Sequence, residues 1–155
     1  SAGPVKIVIF DFQKIIDKSD IGKTTQKRLM DKGKEFQQKL QAEKNKLDAM
    51  NKAYENEKLV LSPAKKSEKE VEMRNRITDF RRLQSDLERQ FKQLEMESLN
   101  KIQKKVIKIA KELGKQNQYT LILERKAAGV IYFSETIDIT DSIIAKYNRK
   151  TKKNN

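Results

Sequence analysis

The chain has 155 residues, of which 36% are hydrophobic, 37% are charged and 6% are aromatic, and its formal net charge is +13. Globular domains usually have roughly 45–50% apolar and 25% charged residues, so this composition excludes a compact domain with one large core and favours elongated helices that bury a narrow stripe. The chain contains no cysteine and no histidine. This excludes disulfides, zinc sites of the usual kind and catalysis by a thiol or an imidazole.

The positive charge predicts an anionic partner, such as nucleic acid, a lipid surface or an acidic protein. Acidic residues are mixed in throughout, and only the tail "KYNRKTKKNN" is a basic cluster. No run of 18 apolar residues is present, so we expect no membrane-spanning helix. The opening "SAGP" resembles either a processed end or residues added in cloning, so a removed leader is compatible with it.

The first element in chain order is a predicted strand in "KIVIFDF", residues 6–12. Ile7 to Phe10 are apolar without alternation, which predicts burial on both faces. The following "QKIIDKS" predicts a short helical turn. Ser19 or Asp20 is then the expected N-cap of a long helix.

Two long helices are predicted by apolar residues that recur at spacings of three and four. The first helix carries this stripe at Leu29, Phe36, Leu40, Leu47, Met50, Tyr54 and Leu61, with Gly33, Glu43 and Glu57 on the same seam. The second carries it at Met73, Ile77, Phe80, Gln84, Leu87, Phe91, Leu94 and Ser98, and then shifts phase through Ile102, Val106, Ile109 and Leu113. Such stripes must be covered by another helix.

A tight reversal separates the two helices at "LSPAKK". We expect the first helix to end near Val60, Ser62 to cap the second and Pro63 to occupy its first position. Gly114 or Asn117 is the expected end of the second helix. Helices of about 40 and 50 residues would be roughly 60 and 75 Å long, paired as an antiparallel hairpin.

The segment "YTLILERKAAGVIYF", residues 119–133, predicts two further strands joined by a hairpin-length loop, "KAAG". It is followed by "IDITDSIIAKYN", which predicts a helix capped by Thr140 or Asp138. Ile143, Ile144 and Tyr147 would give this helix an apolar face. The predicted fold class is therefore α+β, with a long helical hairpin and a small β head.

Three short strands in one chain would be marginally stable and would leave exposed edges. Closing a barrel with the strands of sister chains removes those edges, so we predict a homo-oligomer assembled through the strand region. The expected assembly residues are Ile7, Ile9, Leu121, Leu123, Val130 and Tyr132. The alternative is a monomer whose own helix, through Ile102, Val106 and Ile109, covers one face of the sheet.

The predicted domain organisation has a β association domain formed by residues 5–20 and 114–149. Residues 21–113 form the helical arm, with its tip near 59–66. Residues 1–4 and 150–155 are expected to be flexible ends.

Enzymatic signals are weak. "DKSDIGKTT" resembles a phosphate-binding loop, but Asp17 stands where the motif needs glycine, and no alternation of strands and helices follows. Glu95 and Glu97 fall on different faces of a helix. We therefore expect no catalytic residues, no metal and no cofactor.

The residues resemble a known family. "KIVIFDFQKII", "GKTTQKRL", "LSPAKKSEKE", "YTLILER" and above all "IDITDSIIAKYN" are similar, in this order, to the Skp/OmpH family of periplasmic chaperones, from about Lys6 to Asn148. The resemblance implies a homotrimer whose head is a trimeric β-barrel and whose three coiled-coil arms enclose a cavity. It implies a periplasmic, ATP-independent holdase that binds unfolded outer-membrane proteins during outer-membrane protein biogenesis.

In such a cavity, basic side chains would attract acidic client segments over roughly 8–10 Å. The candidate client-binding residues are Lys65, Lys66, Lys69, Arg74, Arg76, Arg81 and Arg82, for which a solvated helix face is the alternative. Anionic lipid or lipopolysaccharide is a further candidate partner. The rival functions are a basic coiled coil that binds nucleic acid or acts as a scaffold, and a prefoldin-like chaperone. Nucleic-acid binding is disfavoured because the aromatic residues sit in seams and strands.

Overall fold

The computed structural model describes residues 3–154 and is mostly helical. The elements are β1 (Ile7–Phe10), α1 (Phe12–Lys18), α2 (Asp20–Glu57), α3 (Pro63–Asn117), β2 (Leu121–Glu124), a 3-10 turn (Glu135–Ile137) and α4 (Thr140–Lys153). They form two compact units. The first contains the described residues up to Arg28 and from Met96 onward, and the second is Leu29–Glu95. The predicted flexible ends include residues 1, 2 and 155, which lie outside the described residues.

The helix starts follow the capping residues. Ser19, rather than Asp20, caps α2, because its Oγ accepts a hydrogen bond of 3.0 Å from the N–H of Gly22. Ser62 caps α3 as predicted, and Pro63 is the first residue of that helix. The helix α2 ends at Glu57, earlier than predicted, since the N–H of Val60 turns to the carbonyl of Glu57.

The end of α3 is a left-handed cap. The helix ends at Asn117, and Gln118 has a φ of +57°. The N–H of Tyr119 donates to the carbonyl of Gly114 at 3.0 Å, which is the six-to-one hydrogen bond of a Schellman motif. The chain reverses here and enters β2 three residues later.

The sheet has two strands, and they are parallel. Ile7 pairs with Leu121 and Phe10 with Glu124. Parallel strands need a long crossover, and here both long helices lie between β1 and β2 in the chain. A separate bridge joins Ile9 to Asp138.

The predicted third strand and its hairpin are wrong. Residues 125–129 form a turn closed by Gly129, whose φ is +65°, and residues 130–133 are not a strand. Val130 donates its N–H to Arg125, but the N–H groups of Ile131, Tyr132 and Phe133 have no hydrogen-bond partner among residues 3–154. The reason is that β propensity creates a strand only where a second strand lies alongside, and residues 3–154 place none beside this segment.

The core of the first unit covers one face of the sheet. Val8 and Phe10 belong to the same buried cluster as Ile102, Val106 and Ile109 of α3. This is the packing that the single-chain alternative required. The predicted burial of the whole first strand fails at Ile7, which is 43% exposed.

The helix α4 is fixed to the core at its start. The predicted cap, Thr140 or Asp138, is wrong, because the N-cap residue is Ile139 and has no side-chain capping hydrogen bond. Asp138 instead accepts the N–H of Thr140, the first residue of the helix, at 2.9 Å. Thr140 is fully buried, and its Oγ accepts the N–H of Asp11 at 2.9 Å and donates to the carboxylate of Asp138. One hydroxyl therefore joins the end of β1 to the beginning of α4.

Farther along α4, two lysines bind one carboxylate of α3. Glu112 lies 2.8 Å from Lys150 and 3.2 Å from Lys146. Their hydrogen bonds lower the pKa of Glu112 from 4.5 to about 2.

Candidate functional site

The second unit is an antiparallel helical hairpin. Near its base, the rings of Phe36 and Phe91 meet edge to face with centroids 6.5 Å apart. Near the turn, the phenol of Tyr54 donates to Glu70 at 2.6 Å, and this hydrogen bond raises the pKa of Tyr54. Three predicted seam residues, Phe36, Tyr54 and Phe91, therefore contact the opposite helix, and Glu70 joins them from outside the predicted seam.

Two polar seam positions have partners. Glu43 is half-buried and pairs with Lys46 at 3.1 Å. In the first unit, Ser98 is buried and accepts a hydrogen bond of 2.8 Å from Arg28. The polar groups of Glu43 and Ser98 therefore have partners within the chain. Their presence in the seam does not by itself indicate a water-filled space between the helices.

The seven candidate basic residues all lie in the first half of α3, but they do not share one face. Successive residues of a helix turn by about 100°. This places Lys65, Lys69 and Arg76 on one flank of the seam, and Arg74 and Arg81 on the other. Of the two remaining candidates, Lys66 falls within the seam and Arg82 lies on the opposite side of the helix.

Two of these charges are already paired. Lys65 lies 3.3 Å from Glu68, and Lys69 lies 3.7 Å from Glu57 across the hairpin. Among residues 3–154, no carboxylate oxygen lies within 4 Å of a side-chain nitrogen of the other five candidate basic residues. These five, which are the positive charges available to an acidic ligand, are Lys66, Arg74, Arg76, Arg81 and Arg82.

Four predicted assembly residues lie on one face of the sheet. Because paired residues of parallel strands project to the same side, Ile7, Ile9, Leu121 and Leu123 share the face opposite the core. Ile7 and Leu121 are nearly half exposed, whereas Ile9 is 2% exposed and so already buried within the chain. This entirely aliphatic surface is called the outer sheet face below.

The other two predicted assembly residues lie in the unpaired segment after the turn. Tyr132 is 87% exposed, and its neighbour Ile131 is 98% exposed. Val130 is half-buried. Phe133 is fixed by the guanidinium of Arg125, which lies 5.4 Å from its ring centroid.

A lysine row on α3 was missed by the sequence reasoning. It consists of Lys101, Lys104, Lys108, Lys111 and Lys115, which are all exposed. At about 100° per residue the five fall within about 80° of arc, over roughly 21 Å of helix. They lie opposite the buried Ile102, Val106 and Ile109. A helical wheel of α3 would have predicted this row, whereas the net charge and the basic tail do not indicate it.

The first unit also has a cleft of about 360 Å³, lined mainly by Phe10, Phe12, Val106 and Ile107. The only charged residues in its lining are Glu124 and Lys126. The carboxylate of Glu124 accepts the N–H groups of Phe12 and Ala127, so it fixes the backbone. This is not the convergent pair of titratable groups that acid–base catalysis needs.

The described residues offer no metal site and no membrane-spanning helix. Within residues 3–154, no group of acidic side chains is arranged to hold a metal ion. None of the helices in that range is long and apolar enough to cross a membrane.

The fold and these surfaces agree with one family of proteins. The model of the family described as outer membrane protein (OmpH-like) matches residues 6–147. The chain belongs to the OmpH-like family. This confirms the resemblance drawn from the strand segments and the "IDIT" turn.

A solved structure has the OmpH-like fold seen here. It is the crystal structure of a protein from Caulobacter crescentus CB15 described as an OmpH-like outer membrane chaperone. The two chains superpose with a TM-score of 0.86 at 17% sequence identity, and the match covers 97% of this chain and 88% of the other. At this identity the likeness shows a shared fold. No curated protein matches the chain significantly.

Membership of the OmpH-like family supports a chaperone role and does not favour the nucleic-acid or scaffold alternative. Proteins of this family are not enzymes, and they are generally periplasmic. The long helices and the small parallel sheet are those of the OmpH-like fold.

Proposed function

We propose that this chain is an ATP-independent holdase, which encloses unfolded outer-membrane proteins between the helical arms of a homotrimer and prevents their aggregation. The observation that carries the proposal is membership of the OmpH-like family over residues 6–147. Residues 5–20 and 114–149 would form the association head, and residues 21–113 the arm.

The outer sheet face and the unpaired segment support the assembly. Exposed aliphatic surface of this kind is usually covered by a partner. Tyr132 and its neighbours also leave backbone donors open, and a strand from a sister chain would satisfy them. Ile7, Leu121, Leu123, Val130 and Tyr132 would then lie between subunits, with Ile9 beneath them.

Weak contacts suit a holdase that consumes no nucleotide. An unfolded membrane barrel exposes strands with alternating apolar residues and aggregates in water. Single contacts that break quickly allow release, while several arms together retain the client by raising its local concentration. The five unpaired basic residues of the hairpin would attract acidic client segments. They include Arg81 and Arg82, which can bind a client carboxylate without first breaking an ion pair within the chain.

Further partners follow from charge and family. The lysine row is a suitable surface for anionic lipid or lipopolysaccharide, because basic residues strengthen binding to such surfaces and salt screens the attraction. A periplasmic location, reached through a leader that is then removed, agrees with the family and with the absence of cysteine.

The assembly is tested by mass. Light scattering should give three times the chain mass of 18.1 kDa. Leu121→Asp should dissociate the trimer and leave the helical circular dichroism largely intact, because it places a charge on the outer sheet face. Ser142→Asp, on the exposed side of α4, is the matched control and should remain trimeric. A wild-type protein at 18 kDa would discard the assembly.

The activity is tested by aggregation. A urea-unfolded outer-membrane β-barrel is diluted into buffer with and without the protein, in the absence of nucleotide, and light scattering by aggregates is followed. The protein should suppress the scattering, and part of this effect should survive high salt because the contacts include apolar ones. An absolute requirement for ATP would contradict the proposal.

A further inference from the structure

Two large aliphatic side chains stand exposed at the turn of the hairpin. Leu59 and Val60, called the apolar tip here, are 89% and 85% exposed, and they lie between the end of α2 and the start of α3. Turns are usually built from Gly, Pro, Asn, Asp and Ser, none of which occupies residues 58–61. An exposed apolar pair in such a place is typical of a binding surface.

The apolar tip is held by a rigid support. The N–H of Val60 donates to the carbonyl of Glu57 at 3.0 Å, and Ser62 caps the first turn of α3. Below the turn, the hydrogen bond of 2.6 Å between Tyr54 and Glu70 ties the two helices together. Because the turn is already ordered, a ligand that binds there loses little free energy to ordering it.

The charge around the apolar tip indicates what kind of ligand it takes. Residues 55–70 contain four acidic and four basic residues, although the whole chain carries +13. Three of the four cations are paired with carboxylates between 2.5 and 3.7 Å away, which leaves Lys66. Binding to an anionic bilayer depends on a local excess of basic residues, which this region lacks. The apolar tip therefore fits an uncharged, apolar ligand.

We propose that Leu59 and Val60 bind apolar side chains of the unfolded β-barrel client. This inference rests on the proposed holdase function and adds a contact that the basic residues do not provide. Two aliphatic side chains give a weak contact, so it breaks without fuel, while copies on several arms hold the client together. Removing both side chains should weaken client binding about tenfold, since the area lost is small.

The contact can be observed directly because the chain has no cysteine. The variant Leu59→Cys is labelled at its single thiol with NBD, a fluorophore whose emission shifts to the blue in an apolar environment. Addition of a urea-unfolded outer-membrane β-barrel should shift the label at position 59. The control is Ser85→Cys, labelled in the same way at an exposed position on the same hairpin, and its emission should not shift.

A double variant gives an independent measurement. Leu59→Ser with Val60→Ser should raise the apparent Kd for the unfolded barrel about tenfold and leave the circular dichroism unchanged, since both side chains are exposed. Ile107→Ser, which changes a 42% exposed aliphatic residue in the other unit, is the matched control. It should bind like the wild type.

Each contrary result has a separate meaning. If the wild type holds the client while the tip label stays silent and the double variant binds normally, the tip contact is refuted and the holdase function stands. If the wild type does not bind the client, both fail. A blue shift with phosphatidylglycerol vesicles but not with client would assign the tip to a bilayer. A shift that grows with protein concentration alone would assign it to a second copy. Either result overturns the inference.

Discussion

Replacing Thr140 with valine should destabilise the first unit, because one buried hydroxyl serves two partners. Thr140 is fully buried and accepts a hydrogen bond of 2.9 Å from the N–H of Asp11, which is 129 positions away in the chain. It also donates to the carboxylate of Asp138. Valine has nearly the same shape, so the change removes the hydroxyl and leaves the packing almost intact.

The magnitude follows from the two lost partners. A hydrogen bond to a carboxylate contributes about 1.5–3 kcal/mol, and an unpaired buried N–H costs about 1–3 kcal/mol. Because such contributions are not additive for coupled groups, we expect the free energy of unfolding to fall by about 2–4 kcal/mol. The control is Thr140→Ser, which keeps the hydroxyl and loses one methyl group, at a cost of about 0.8 kcal/mol.

The assay is urea unfolding followed by far-ultraviolet circular dichroism, at one protein concentration for all variants because assembly also stabilises the folded state. Thr140→Val should unfold at a lower urea concentration than Thr140→Ser, which should lie close to the wild type. If the valine variant is as stable as the serine variant, the hydroxyl does not join β1 to α4 in the way described.

Two further predictions concern packing and charge. Gly22→Ala should lower the free energy of unfolding by about 1–3 kcal/mol, because the new Cβ would clash with the backbone carbonyl of Ile16. Gly33→Ala, whose Cβ would meet only ordinary contacts, should be neutral or slightly stabilising, and equal effects of the two changes would contradict the close approach at Gly22. The variant Glu112→Gln should be less stable than the wild type at neutral pH, because it loses a carboxylate whose pKa is lowered to about 2 by two lysines of α4. The stabilisation by the ionised Glu112 is complete above its ordinary pKa of 4.5 and is lost as the pH falls toward 2. The unfolding curves of the two proteins should therefore converge near pH 2, and a difference that persists at that pH would refute the ion-pair explanation.

The sequence predicted the helical part of the fold well because its signals are local. Ser19 and Ser62 cap helices whose starts lie within two residues of them, and a hydroxyl needs only the next turn to act. The apolar stripes of the two helices predicted the contact between Phe36 of one and Phe91 of the other, since spacings of three and four place apolar residues on one face of each helix.

The β region was harder to predict because its partners are distant. "GVIYF" has strand propensity, yet residues 130–133 pair with no strand in the part of the chain that the structure describes. Ile7 and Ile9 share the outer sheet face, yet Ile7 is 43% exposed and Ile9 is buried, and a run of four apolar residues does not predict that difference. The predicted assembly set accordingly divides into exposed residues, such as Tyr132 and Leu121, and the buried Ile9.

The candidate binding surfaces show the same limit. Net charge predicted an anionic partner but not the lysine row, because the row exists only once α3 fixes which lysines share a face. Similarly, a first helix that ended near Val60, as predicted, would have placed Leu59 and Val60 in its last turn. Since α2 ends at Glu57, they stand in the turn instead, exposed to solvent.

The sequence by itself determined where the long helices start, which residues lie in the turn between them and to which family the chain belongs. Capping residues, apolar stripes and strand segments are patterns of residues close together in the chain, so they can be recognised without the tertiary structure. Only the tertiary structure decided that β1 and β2 run parallel, that Thr140 binds Asp11, and that Ile131 to Phe133 remain unpaired. These features depend on contacts between residues far apart in the chain, and the free energy of such contacts is set by which surfaces meet, which no local pattern specifies.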